Sequence, residues 1–245
     1  AKETDLGFSI KSLLGNDSTI HNAGLGNNFI YKISAPYKFD IAEFNRSTYK
    51  PGRGLSKITY RLQKLKEMGC KIEFDHIQSD QLTLNLKMID GDLPKLMAWA
   101  LYYRWLFREA SLSSVADILE KKDPLNYYHN QPTEQKLYEY KLKRYLAEMA
   151  MGMTSETPWH GEYEAFGGVI IVKTDGEIVC FHIYDFNIFR NYLIANTKFE
   201  QPATSEDKDN QGNPRPNAKK KFFYGWLYEE NDELYFKISL QVRFK

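Results

Sequence analysis

Three polar residues near the start of the chain, Asp5, Ser9 and Lys11, have the types and spacing of a hydrolytic site. A carboxylate can hold Mg²⁺, and the backbone carbonyl between two polar residues of one strand can add a ligand. A lysine two positions on can orient the attacking water. The same residues have a plainer use as the solvent side of a half-buried strand, and a short motif alone does not separate the two readings. Spacing adds a condition. On a straight strand, at roughly 3.3 Å per residue, Asp5 and Ser9 stand about 13 Å apart. For one ion to reach both, Gly7 must bend or bulge the chain. Otherwise the carboxylate comes from elsewhere, with Glu3 and Asp17 near in sequence.

Two further sets of side chains could bind rather than react. Asn22, Asn27 and Asn28 lie in a loop of small polar residues, where Asn commonly satisfies turn backbone and can equally bond an external ligand. Arg46, Lys50, Arg53, Lys57 and Arg61 form a basic cluster around the turn Lys50-Pro51-Gly52-Arg53-Gly54. A solvated helix face is its ordinary explanation; a phosphate-binding strip, with glycine amides approaching as well, is the sharper one. His182, His160 and His76 show no partner in the sequence, and a structural role is the default for each.

The elements that must position these residues follow from periodicity. Phe8 and Ile10 alternate with Ser9 and Lys11, the period-2 pattern of a strand with a dry face and a polar face. A second strand is expected at Phe29–Ile33. Asp40 caps a short helix through Arg46, and Leu55, Ile58, Leu62, Leu65 and Met68 mark a helix that Gly69 stops. Its other face carries Lys57, Arg61, Lys64 and Lys66. Strands are expected at Lys71–Phe74 and Leu82–Met88. Three helices follow: one from Asp92, with Pro94 in its first turn, to about Arg108; one from Ser113 or Ser114 to Lys121; and one from Thr133 to about Met149. A hairpin of Gly167–Lys173 and Glu177–Tyr184 turns at Asp175-Gly176. Phe186–Asn196 reads as a helix, 201–221 as a mobile loop rich in Pro, Asp, Asn and Lys, and Phe222–Glu229 with Glu233–Phe244 as a closing hairpin. The chain divides into 1–90, a helical middle over 91–155, and a β-rich part over 156–245, read together as one unit.

Composition narrows the class. In 245 residues, 42% hydrophobic and 15% aromatic side chains suffice for a sizeable core, and a net charge of +1 excludes a basic-tail binder while leaving room for a local basic cleft. Cys70 and Cys180 form no metal pattern and are expected to be reduced core thiols of a cytoplasmic protein. No apolar run approaches the roughly 20 residues of a membrane span, and no signal peptide is present. The chain has no P-loop, dinucleotide fingerprint, Gly-x-Ser-x-Gly elbow or His-Glu-x-x-His.

The block from Asp5 to Ile33, ending in Asn28-Phe29-Ile30-Tyr31-Lys32-Ile33, resembles the HpaII-type restriction endonucleases. So do Gly167-Gly168 to His182, Asn196–Glu200 and Leu240–Phe244, in the same order. The resemblance implies an α+β fold with a mixed-sheet, restriction-endonuclease-like core of the PD-(D/E)XK type. It implies Mg²⁺-dependent cleavage of double-stranded DNA at a short palindrome, CCGG or similar, by a homodimer in the bacterial cytoplasm. Asp5 would hold the metal, with Ser9 and Lys11 completing the catalytic set. Ser9 departs from the Asp or Glu usual two places before the lysine, so a sequence-specific DNA binder without catalysis is the rival. DNA contacts are expected from Ser12, Asn22, Asn28, Arg46, Arg53, Lys57, Lys198 and Lys220, with Arg53 as base reader and Lys220 as phosphate clamp. The fold normally places a helix and a strand ahead of the catalytic strand, so a further N-terminal segment, or a separate polypeptide, is expected as well.

Overall fold

The computed structural model describes residues 7–14, 18–22, 24, 26–49, 52, 54–129, 131, 133–163, 167–201 and 224–245. Among them the chain builds β1 (Phe8–Ser12), β2 (Thr19–His21), β3 (Asn28–Ser34), α1 (Ile41–Ser47), α2 (Lys57–Glu67), β4 (Lys71–Ile77), α3 (Asp80–Ile89), α4 (Leu93–Leu106), α5 (Leu112–Lys122) and α6 (Leu137–Ala150). After these come β5 (Gly168–Val172), β6 (Ile178–His182), a one-turn 3₁₀ helix (Ile183–Asp185), α7 (Phe186–Asn196), β7 (Thr197–Phe199), β8 (Leu227–Glu230), β9 (Glu233–Ser239) and β10 (Val242–Phe244).

The architecture is mixed α+β, with three sheets ordered β1-β5-β6, β2-β10-β7 and β4-β3-β9-β8. Every sheet joins strands from both ends of the chain, so the two β-rich ends do not form separate sheets. β1 and β5 run parallel, the other pairs antiparallel. The expected closing strand Glu233–Phe244 breaks at Leu240-Gln241. β9 stays in the four-stranded sheet, while β10 crosses to β2 and β7, and the Leu240 amide at the break donates to the Asn27 carbonyl (2.8 Å). The hairpin turns follow their residue types. Gly176 has φ +84° in the β5–β6 turn, and Asn231 and Asp232 have φ +52° and +62° between β8 and β9, the left-handed pair that a tight hairpin needs.

The helical middle carries the core. α4 buries Leu93, Leu96, Met97, Ala98, Ala100, Leu101, Tyr103 and Trp105, more than one stripe of its surface, because α2, α3 and α5 and strand β4 all pack against it. Tyr31 of β3 donates to the Ala98 carbonyl (2.6 Å), and Thr59 of α2 to that of Trp105 (2.9 Å), which ties sheet and helices together.

The stretch Leu82–Met88 is a helix, not the strand that its alternation suggests. Ser79 caps it, its hydroxyl accepting from the Leu82 amide (3.1 Å). The buried positions are Leu82, Asn85, Leu86 and Ile89, at helical spacing, while Leu84 and Met88 stay exposed. Alternation of Leu and Met there was coincidental with a 3.6 period whose second buried member, Asn85, is polar. Asn85 is buried because it is fully used: Nδ2 donates to the Thr154 and Thr157 carbonyls (both 2.8 Å) and Oδ1 accepts from the Trp159 amide (3.0 Å). The other helix starts shift modestly. α5 begins at Leu112 after Ser111, and α6 begins at Leu137 instead of Thr133.

Candidate active site and nucleic-acid interface

β1 is the strand expected, but it faces the other way. Ser9 and Lys11 are half-buried, while Phe8 and Ile10 are exposed. Pairing pins this orientation. Ser9 lies opposite Val169 and Lys11 opposite Ile171, and Val169 and Ile171 are buried on the side of α7 and the end of α6. The Ser9 hydroxyl donates to the Ala150 carbonyl at the C-terminus of α6 (3.2 Å). At the entry to β5, the Gly167 amide donates to the Gly7 carbonyl (2.7 Å). Gly168 has φ +132°, and a Cβ there would lie 2.0 Å from the Phe181 carbonyl oxygen. That closeness accounts for Gly168, since no side chain fits between β5 and β6 at this point, while a Cβ on Gly167 would lie 2.5 Å from the Phe8 ring of β1.

Lys11 carries the main electrostatic feature of this strand. Burial lowers its pKa from the ordinary lysine value, and no charge among the described residues offsets that cost. A half-buried ammonium with no counter-charge is costly by itself and is suited to receive an anion. One acid is buried among the described residues, Glu148 of α6. Burial raises its pKa, and it accepts from the Tyr163 hydroxyl (2.9 Å) within the field of Arg144 and Arg190. Asp5, Glu3 and Asp17 lie outside the described residues. Within those residues no group of three or more His, Cys, Asp or Glu side chains could hold a metal, and Ser9 has committed its hydroxyl to backbone. The described part of the strand does not by itself fit a divalent cation.

The polar loop after β2 divides into structural and accessible parts. Asn28 is buried; its amide donates to the Gln78 side chain (3.0 Å), and its carbonyl accepts from the Gln78 amide (2.8 Å). Asn27 is buried as well, donating to the Asn22 carbonyl (2.6 Å). Both hold the loop through these bonds. Asn22 is exposed, its Oδ1 accepting from Thr19 (2.5 Å), and Ser12 is exposed at the end of β1. Beneath the loop, His21 is buried with Nδ1 against the Tyr145 hydroxyl (2.7 Å). Burial lowers its pKa to about 4, against a weaker upward pull from Asn27, so the ring is neutral at physiological pH. With Met149, Met153, Thr154 and Glu156 it lines a cavity of about 250 Å³. Nothing in the sequence marked His21, because its partner Tyr145 lies 124 positions away.

The basic cluster is only partly a surface. Arg61 is fully buried. It donates through Nε to the Thr48 hydroxyl (2.9 Å), through Nη1 to the Gly225 carbonyl and through Nη2 to the Asn45 carbonyl (3.1 Å), and its guanidinium stacks 4.0 Å from the Trp226 ring. The expected phosphate-strip role fails for it, because helix position told its face but not that α1 and the approach to β8 close over that face. Lys57, one turn earlier, lies over the rings of Tyr49 (4.5 Å) and Trp226 (5.8 Å), which stack on one another. Arg46 is exposed and pairs with Glu43 on its own helix. A cation unmarked in sequence joins this turn: Arg108, exposed, donates to the Gly54 carbonyl (3.0 Å). Lys198 of β7 is half-buried, 3.9 Å from Glu200. Lys50, Arg53 and Lys220 lie outside the described residues. Lys57, Arg46 and Arg108 thus sit around the α1–α2 corner, Lys198 belongs to the β2-β10-β7 sheet, and Lys11 to a third layer.

His76 pairs with its neighbour Asp75 (2.7 Å), and His182 stacks on Tyr184. Cys70 is half-buried and Cys180 exposed, so the second is not the core thiol expected; it falls on the outward face of β6.

No solved structure matches the chain. A family profile described as HpaII restriction endonuclease matches residues 1–244. The Type II restriction enzyme HpaII of Haemophilus parainfluenzae is 33% identical over 239 residues, which cover 98% of this chain and 60% of that protein. The chain therefore spans 60% of the length of this curated relative. With a match running from one end of its sequence to the other, the chain belongs to the HpaII restriction endonuclease family.

Proposed function

We propose that the protein is a type II restriction endonuclease that hydrolyses phosphodiester bonds of double-stranded DNA at a short palindrome, CCGG or a close relative. The observation that carries the reading is Lys11: a half-buried cation with no offsetting charge among the described residues, on the strand that the family match covers. Lys11 binds the scissile phosphate or orients the attacking water, and Ser9 anchors the strand on α6. Mg²⁺ is the cofactor of this reading, Asp5 its assigned carboxylate; the metal would stabilise developing charge on the phosphate. DNA is held by Lys57, Arg46, Asn22 and Ser12, together with Arg53, Lys198 and Lys220. A palindromic target favours a two-fold homodimer, since protein symmetry then matches DNA symmetry. On this reading the enzyme works in the bacterial cytoplasm; among the described residues no helix is long and apolar enough to cross a membrane.

The test is incubation of supercoiled plasmid with and without Mg²⁺, for the native chain and for Lys11→Ala. Discrete fragments from the native chain only with Mg²⁺, and specific binding without cleavage by Lys11→Ala, are expected, since catalysis and base readout use different groups. Near-normal cleavage by Lys11→Ala removes the catalytic assignment.

A further inference from the structure

The cavity between β2 and the end of α6 has an apolar floor and buried polar atoms that nothing satisfies. His21 lines it at 1% exposure, and its Nε2 makes no hydrogen bond among the described residues. The ring proton can be placed. Burial holds the Tyr145 hydroxyl in its protonated form, and among the described residues Nδ1 of His21, at 2.7 Å, is the acceptor that hydroxyl has. Donation to Nδ1 leaves the proton of the neutral ring on Nε2, a buried donor. Asn27 lies near enough to pull on the ring, yet its buried Oδ1 also lacks a hydrogen bond, so the two do not satisfy each other. Such atoms cost free energy until a partner arrives. Gly24 stands between Asn27 and a carboxylate: a Cβ there would lie 3.3 Å from Asn27 Nδ2 and 3.5 Å from Glu156 Oε1. Ile20, Met149 and Met153, all buried, make the floor, while Asn22, Thr154 and Glu156 are exposed at the mouth.

We propose that this cavity receives a guanine turned out of the duplex. One donor, His21 Nε2–H, and two acceptors, Asn27 Oδ1 and the Glu156 carboxylate, match the one acceptor and two donors of the guanine Watson–Crick edge: O6, N1–H and N2–H₂. Cytosine offers two acceptors and one donor, thymine two acceptors around one donor, and adenine no carbonyl. The methionine sulfurs supply soft contacts for the face of a flat ring, and a volume of about 250 Å³ exceeds what a purine needs. The strand with Lys11 is adjacent. Met149 precedes Ala150, whose carbonyl accepts from Ser9 (3.2 Å), and Lys11 lies two residues further on the same face of β1, roughly 7 Å along the strand. A phosphate at Lys11 and a base in the cavity therefore belong to the same or neighbouring nucleotides. Extrusion takes the base out of its stack and exposes its Watson–Crick edge to the protein. It presupposes the action on duplex DNA proposed for this protein.

Two measurements test it. In the first, the chain labelled with ¹⁵N-histidine is titrated with dGMP, dIMP, dCMP, dAMP and dTMP, and the Nε2 resonance of His21 is followed, assigned by its loss in His21→Phe. A saturable shift is expected with dGMP. Binding of dIMP, which lacks the N2 amino group, should be roughly ten-fold weaker, the worth of a hydrogen bond to a charged group. Glu156→Ala should bind dGMP and dIMP alike with an unchanged thermal midpoint, because the Glu156 side chain is exposed. In the second, a fluorescent guanine analogue with an unaltered Watson–Crick edge replaces each target guanine in a duplex, and binding is followed in parallel by anisotropy. Brightening on binding by the native chain, reduced in Glu156→Ala, is expected. Where the duplex binds, fluorescence that stays quenched at every guanine overturns the proposal, whatever free nucleotides do. Where it does not bind, the action on duplex DNA fails, and the nucleotide titration decides the cavity by itself. There, no shift, or equal shifts with all five nucleotides, overturns the guanine assignment and leaves a cavity filled by water.

Discussion

Replacing Arg61 by Leu tests whether the cation on α2 is structural or a DNA contact. In the fold its guanidinium is fully buried and donates to the Thr48 hydroxyl and to the Gly225 and Asn45 carbonyls while lying on Trp226. Leucine keeps part of the packing but leaves three acceptors, two at the end of α1 and one before β8, without their donor. Removing one member of a buried charged network costs about 3–5 kcal/mol, and a chain of this length loses about 2–4 °C of Tm per kcal/mol. Arg61→Leu should therefore lower Tm by roughly 6–20 °C, and so should Arg61→Lys in large part, because an ammonium cannot reproduce the fork. Lys57→Ala, on the same helix, should change Tm little, since its ammonium lies over Tyr49 and Trp226 at the surface side of the stack. The assay is thermal unfolding followed by circular dichroism, paired with the salt dependence of DNA binding for both variants. An Arg61→Leu protein with an unchanged Tm and a flatter salt slope would refute the structural assignment and return Arg61 to the phosphate strip.

Three further outcomes are expected. Burial depresses the folded-state pKa of Lys11, so at neutral pH the folded protein carries an unfavourable ammonium that the unfolded chain does not; Lys11→Met should raise Tm at pH 7, and the gain should shrink as pH rises through the depressed pKa toward the ordinary lysine value, whereas a gain constant from pH 7 to 10.5 would show that charge is not its source. Gly168→Ala forces a Cβ against the Phe181 carbonyl at a backbone conformation with φ +132°, and a loss on the order of 4 kcal/mol or failure to fold is expected; a near-native Tm by the same melt would show that the β5–β6 pairing yields there. Arg53→Ala should lose roughly 1–3 kcal/mol of discrimination at one base pair, while Lys220→Ala should weaken binding to all duplexes alike and flatten the salt dependence; anisotropy on cognate and singly substituted duplexes at two salt concentrations separates them, and an equal loss on every duplex for Arg53→Ala would make it a phosphate contact.

Much of the fold was legible where local chemistry and periodicity agree. Asp40 before α1, Gly69 after α2, the Asp175-Gly176 turn and the Asn231-Asp232 turn each demand a backbone conformation that their residue types supply cheaply, and each stands where expected. Periodicity alone failed at α3, because four apolar residues at even spacing, Leu82, Leu84, Leu86 and Met88, mimic a strand when the buried polar member Asn85 is counted as solvent-facing. The three-sheet topology was not legible. β1 with β5, β2 with β10 and β3 with β9 are pairings across most of the chain, and no local signal specifies them. His21 with Tyr145 and Arg61 with Gly225 belong to the same class: contacts whose partners are far apart in sequence.

β1 makes the limit of such reading concrete. A period of two assigns Ser9 and Lys11 to one side and Phe8 and Ile10 to the other, and that assignment holds. Which side is covered depends on what packs against the strand, and the polar side meets α6 while the apolar side meets solvent. Two costs follow from this orientation: a desolvated lysine on one face and exposed Phe8, Ile10 and Ile178 on the other. An anion bound at Lys11 would reduce the first of them. DNA bound on the Lys11 side would therefore stabilise the strand. A phosphate bound at Lys11 should slow hydrogen exchange of the Ser9–Lys11 amides of β1, and exchange there that is unchanged by added DNA would remove the anion from this strand.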